Sequence, residues 1–206
     1  MKAGRILPLA AAALMLASLA FPFWTARMEA PAYPGQPLSL HMYAFKYQGD
    51  IVEWNIVGRL VGVHMPPPIP GVFFPLFSLS VVALCALAVA VGLTRRLART
   101  AAVLPWVLMT AVMAWGQYSL YLFGHNLDPQ RPLRYFDAFT PPVVGVLTLG
   151  KIKTYHYPDV GTFLFVLGAA LLVFNAWRSA GAPRPRWFAR KETAVVVRED
   201  RYATAR

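Results

Sequence analysis

His41, His64, His125 and His156 are the only histidines in this 206-residue chain. Imidazole is the side chain best suited to holding a metal or moving a proton near neutral pH. Two of the four are followed by methionine, in His41-Met42 and His64-Met65, and Met28 lies in the same stretch of chain. Imidazole nitrogen together with thioether sulfur is a donor set for copper, since thioether favours Cu(I) and imidazole accepts either oxidation state. The candidate metal or partner contacts are therefore His64, Met65, His125 and His41, with His156 next. Their spacing matches no ligand box, and if residues 38–47 form a strand, His41 and Met42 point to opposite faces. Two other readings stand beside this one: surface or interfacial imidazoles bonded to backbone, and haem ligation or proton handling. Bis-histidine haem in a membrane bundle asks for histidines within the helices, and these four fall outside the apolar runs.

Other chemistry has less to stand on. The single cysteine, Cys85, excludes an intrachain disulfide, a Cys-x-x-Cys redox pair and a Cys-x-x-Cys-His haem attachment. Gly-rich phosphate loops, Gly-x-Ser-x-Gly and His-Glu-x-x-His are absent from the sequence. The expectation is a protein that is not an enzyme and has no catalytic residues of its own.

The elements that must position the histidines are set by an apolar composition. Hydrophobic residues make up 57% of the chain and charged residues 14%, against about 25% charged in ordinary soluble domains. Mean hydropathy is +0.47. Roughly 20 apolar residues in a helix cross a bilayer core. Four runs meet or approach that length: residues 6–24, 72–93, 101–123 and 160–177. The first also resembles a cleavable signal peptide, with Lys2 and Arg5 before an apolar stretch and Ser18-Leu19-Ala20 after it. Apolar character continues through Phe21, Pro22, Phe23 and Trp24, which favours a retained anchor.

Charge gives the orientation. The formal net charge of +11 suits either nucleic acid or an anionic membrane surface. Of the 20 Lys and Arg, 13 fall at the two ends and in the loop 94–100, and seven fall in segments 25–71 and 124–159. Arg95, Arg96 and Arg99 mark the short loop as cytoplasmic. In the tail 178–206, Arg184, Arg186, Arg190 and Lys191 would sit against anionic headgroups. The charge thus follows topology, with membrane lipid and no nucleic acid as the partner. The expected fold is mainly α: a polytopic protein of the bacterial inner membrane, with four transmembrane helices, both termini cytoplasmic and a small mixed α/β periplasmic cap.

The cap would come from segments 25–71 and 124–159. Alternation over residues 38–47 predicts a strand, with Leu38, Leu40, Met42 and Ala44 on one face. Asp50 and Glu53 have the spacing of a capping box at the N-terminus of a short helix near the membrane surface, and Asn55 to Val63 continue apolar. Residues 143–149 read as a buried strand or a membrane-surface stretch, and residues 151–157 as a strand. Gln117 and Asn175, the strongest polar side chains in the spans, are expected to bond neighbouring helices. Gly161 and Gly168 suit a close helix contact.

Several stretches are similar to a known family. They are Ala32-Tyr33-Pro34-Gly35, residues 38–47, Gly49-Asp50-Ile51-Val52-Glu53-Trp54-Asn55 and Leu60-Val61-Gly62. Further on come Gly124-His125-Asn126-Leu127-Asp128-Pro129, Phe139-Thr140-Pro141-Pro142 and Tyr157-Pro158-Asp159-Val160-Gly161-Thr162. In order and spacing these resemble a small family of bacterial four-helix membrane proteins, the NosB-like family, associated with copper-handling and nitrous-oxide-respiration genes. Family members often carry Asn-His-Tyr-Ile-Gly-Met; here the stretch reads Gly58-Arg59-Leu60-Val61-Gly62-Val63-His64-Met65. Arg59 replaces the family histidine, and His64 follows later. The resemblance implies an inner-membrane accessory protein that assists assembly, metal supply or electron delivery to a copper enzyme, with copper as the possible cofactor and a protein partner in a complex. A cofactor-free structural subunit of a respiratory or oxygenase complex is the alternative, and a small-molecule permease the second.

Overall fold

The computed structural model describes residues 5–62, 71–94, 97–127 and 138–180. His64, Met65, Arg95, Arg96, Arg184, Arg186, Arg190 and Lys191 lie outside them. The elements run α1 (Ile6–Ser18), β1 (Trp24–Glu29), β2 (Leu38–Met42), β3 (Tyr47–Gly49), α2 (Ile51–Val61), α3 (Phe73–Thr94), α4 (Ala98–His125), β4 (Gly145–Leu149), β5 (Ile152–Pro158) and α5 (Val160–Ala180). The described residues are mostly helical, with one antiparallel sheet.

Three of the helices, α3, α4 and α5, are long and apolar enough to cross a membrane. Their outward surfaces are apolar as well: Leu76, Leu79, Val107, Phe163 and Trp177 are all exposed. Such outward apolar faces are compatible with hydrocarbon as their surroundings, where apolar side chains gain nothing by turning inward. Arg99 lies exposed in the first turn of α4.

The first apolar run, read as one span over residues 6–24, is instead a helix followed by a strand. α1 has 13 residues. Its last turn tightens through Leu19 N–H to Leu16 O (3.1 Å), Ala20 N–H to Ala17 O (3.0 Å) and Phe21 N–H to Ser18 O (3.2 Å). Pro22 then supplies no N–H and disfavours helical backbone at Phe21. Phe23 N–H donates to Met42 O at 2.8 Å, and the chain has become sheet.

α1 packs along α5 where α5 has no side chains to hold it off. A Cβ on Gly168 would fall 2.6 Å from Met15 Cγ and 3.0 Å from Ala11 O; one on Gly161 would fall 2.8 Å from Phe21 O and from Pro22 O. Ala11 and Met15 are accordingly fully buried. Gln117 does not bond a neighbouring helix: its Nε2 donates to Pro141 O (3.1 Å) and its Oε1 accepts from Val143 N–H (3.2 Å), pinning the chain that leads into β4. Asn175 is buried within α5.

The sheet order is β3-β2-β1-β5-β4. β1 is its centre, with β2 on one side and β5 on the other. The expected single strand over 38–47 is a hairpin. It reverses at Tyr43–Lys46, where Tyr43 N–H donates to Lys46 O (2.9 Å), with no Gly or Pro to announce the turn. The β4–β5 hairpin does carry its signal, Gly150 at φ 58°. Expected strands over 143–149 and 151–157 appear as β4 and β5. The short helix follows Asp50 as its expected N-cap, beginning at Ile51, and ends on Gly62 at φ 97°. The capping box does not form. Asp50 Oδ2 accepts from Ser39 N–H (2.7 Å) and Ser39 Oγ (3.3 Å), tying α2 to β2 instead.

Side chains along β1 sort cleanly. Trp24, Ala26 and Met28, with Leu38 and Leu40 opposite, form a core under Trp54 and Val57 of α2. Thr25, Arg27 and Glu29 point the other way, with Ser39 and His41 of β2 and Lys153, Tyr155 and Tyr157 of β5. This second face is open.

Candidate functional site

Position along β1 fixes where two of the histidines go. His41 pairs with Thr25, and His156 pairs with the next residue, Ala26. Paired residues share a face and successive residues alternate. His41 therefore stands on the open face and His156 in the core face, so the sheet itself separates them. Met42 pairs with Trp24 and belongs to the covered face, opposite its neighbour His41. His125 sits exposed in the last turn of α4, its Nδ1 2.9 Å from Tyr121 O and its ring stacked on Tyr121 with centroids 3.9 Å apart. Among the described residues, no three His, Cys, Asp or Glu side chains converge on a point that could hold a metal ion.

His41 is the sequence-expected residue with an organised setting. Its Nδ1 lies 2.8 Å from Thr25 Oγ1, and the Thr25 hydroxyl donates to Asp159 Oδ2 at 2.5 Å. With the hydroxyl proton committed to the carboxylate, Thr25 can only accept from the ring, which places the histidine proton on Nδ1. The lone pair is then on Nε2, which has no hydrogen-bond partner among the described residues. His41 and Asp159 side chains are 35% and 22% exposed, so the relay opens to the surface while Thr25 is buried beneath it. This resembles the arrangement in which a carboxylate, through a second group, fixes the tautomer and aim of a ligating imidazole.

Asp159 is held by the fold. Its Oδ1 accepts from Val160 N–H at 2.7 Å, and its backbone carbonyl accepts from Thr162 N–H (2.9 Å) at the start of α5. An acidic residue there also meets the positive end of the helix dipole. Sequence reading singled out His41 but missed Thr25 and Asp159. An Asp directly before an apolar run is a helix-start signal; its link to a histidine 118 positions earlier is a product of sheet order.

His156 is a different kind of group. It is 7% exposed, lies edge-on to Trp24 with ring centroids 5.2 Å apart, and its Nδ1 has no partner. Burial pushes its pKa down to about 4, opposed by a bond to the Pro142 backbone. Trp24 is fixed in turn by its indole N–H, which donates to Val143 O at 2.8 Å.

No protein-family model matches this chain, and no curated protein matches it as a relative.

Proposed function

We propose that this chain is a multi-pass protein of a bacterial inner membrane in which α1 accompanies α3, α4 and α5 as a fourth crossing element, with both termini cytoplasmic and the sheet and α2 as an outer cap. The clustering of 13 of 20 basic residues at the ends and in the loop 94–100 supports this orientation. At 13 residues, α1 covers about 20 Å, and the bilayer thins locally to meet it. The cap serves as the docking face of an accessory protein that assists assembly, metal supply or electron delivery to a periplasmic or membrane copper enzyme.

The observation behind this reading is the His41–Thr25–Asp159 relay, an imidazole with a fixed tautomer and an outward lone pair on an open sheet face. One imidazole does not close a copper site. The remaining ligands come from the partner or from the His64-Met65 segment, so the metal is shared or passed on. Cu(I) affinity of the purified full chain, measured by chelator competition, tests this. His41→Ala is expected to abolish the tight site, and Asp159→Asn to weaken it about tenfold by freeing the ring. Unchanged affinity in His41→Ala and in a His64→Ala/His125→Ala double variant ends the metal reading. The separation of His41 from His156 by the sheet favours a second reading, a structural subunit without a cofactor. That reading predicts a stable partner that co-purifies equally with the wild type and with His41→Ala.

A further inference from the structure

Among the described residues, three buried side-chain atoms lack a hydrogen-bond partner: Trp54 Nε1, Thr154 Oγ1 and His156 Nδ1. Their residues are 4%, 5% and 7% exposed. They come from α2 and β5, and all three line the same cavity, of about 40 Å³, on the covered face of the sheet. One orphaned polar group is a cost that folds tolerate here and there; three around one space form a set of handles waiting for a partner. They are also complementary. The indole N–H only donates, the hydroxyl does either, and Nδ1 of the buried imidazole accepts or donates according to its tautomer.

A second cavity, of about 90 Å³, adjoins the first, and Trp24 and Leu120 line both. Its walls are apolar and adaptable: Phe73 and Trp115, stacked with centroids 4.4 Å apart, and Met42, Met109 and Met113. Met109 and Met113 lie one turn apart on α4, and Phe73 opens α3. Both helices are long and apolar enough to cross a membrane, which suits a ligand drawn from the lipid phase. Among the described residues, neither cavity is lined by a charged side chain. An ionic headgroup would be left uncompensated there, which excludes a phospholipid head.

We infer that the paired cavities bind a membrane-soluble molecule with an uncharged hydroxyl or carbonyl head, its oxygen held by Trp54, Thr154 and His156 and its apolar body lodged between α3 and α4. Within that chemistry the structure favours a quinol over a long-chain alcohol. A quinol hydroxyl donates to Nδ1 while accepting from the indole or the threonine, and a planar ring suits the aromatic walls. Water alone would fill the small cavity, which has room for about two or three molecules, but would leave the larger apolar one unused. The site is independent of the proposed copper role and lies on the opposite face of the sheet from His41.

Tryptophan fluorescence of the full chain in nanodiscs, titrated with decylubiquinol kept reduced under anaerobic conditions, tests the inference. Saturable quenching is expected. Thr154→Val, which keeps shape and removes only the hydroxyl, should weaken binding by about five- to tenfold. Met113→Trp should block the larger cavity and abolish binding while the three polar groups stay in place. Dodecanol should compete poorly. Quenching that never saturates, or affinity unaltered by both Thr154→Val and Met113→Trp, overturns the site; displacement by dodecanol at equal concentration overturns the quinol assignment. Cu(I) affinity of Thr154→Val should equal wild type, so failure here and failure of the copper reading are told apart.

Discussion

His41 and His156 flank the same central strand one position apart, and they live in different solvents. His41 stands on the open face, wired through Thr25 to Asp159. His156 stands on the covered face, walled by Trp24, with a bare Nδ1 in a cavity. Nothing in the identity of the residue assigns these settings. The parity of the pairing does, because a side chain's face in a sheet is decided by odd or even register and by nothing else. The two faces invite different chemistry: exchange with an outside partner on one, capture of an uncharged molecule on the other.

Breaking parity should have the largest effect. Inserting one alanine between Thr25 and Ala26 turns the rest of β1 over, driving Arg27 into the core and Met28 out of it. The expected result is loss of cooperative thermal unfolding altogether, since the strand pairs on both sides. A melt within a few degrees of wild type would mean that β1 register does not organise the sheet.

Acid sharpens the comparison. Above pH 6.5 the His156 ring is neutral whether the chain is folded or unfolded; as pH falls towards 4, the unfolded chain takes up a proton that the folded one refuses. Stability is therefore present above the unfolded pKa and declines across that window, by about 3 kcal/mol in all. His156→Phe should flatten this part of the pH–stability curve, whereas His41→Phe should leave it in place. Equal slopes in wild type and His156→Phe would remove the burial argument.

The smallest effect belongs to the open-face relay. Thr25→Val removes the hydroxyl between ring and carboxylate, but both partners reach solvent and water takes its place. A loss of about 1 kcal/mol is expected in thermal melts, with the clearer change in the imidazole proton resonance as Nδ1–H loses its acceptor. An unmoved resonance would show that Thr25 does not set the tautomer.

The sequence announced some of this plainly. α3, α4 and α5 each hold an apolar run long enough to cross a membrane. Gly161 and Gly168 pointed to a close helix contact, and α1 provides it. β5 alternates clearly. β1 was invisible because the apolar residues Phe21 to Trp24 extend the preceding helix pattern and end in aromatic character that suits either a membrane edge or a sheet. Its strand nature depends on partners 10 to 18 and 124 to 134 residues away. The relay and the cavity trio share that origin. Each is assembled by strand order from residues that mean little where they stand in the chain, so His41 could be suspected but Thr25, Asp159 and Thr154 could not.

The passage from helix to strand happens twice, side by side. α1 runs into β1 at the place where β5 runs into α5, and the two crossings are stitched by Asp159 N–H to Phe23 O (3.0 Å), Gly161 N–H to Pro22 O (2.9 Å) and Thr162 Oγ1 to Phe23 O (2.6 Å). Five residues, 19–23, join α1 to β1, and Asp159 alone joins β5 to α5. Sheet and helix pair are thus stitched into one body: a load placed on β1 or β5 passes to α1 and α5 through these bonds, with no free hinge to absorb it.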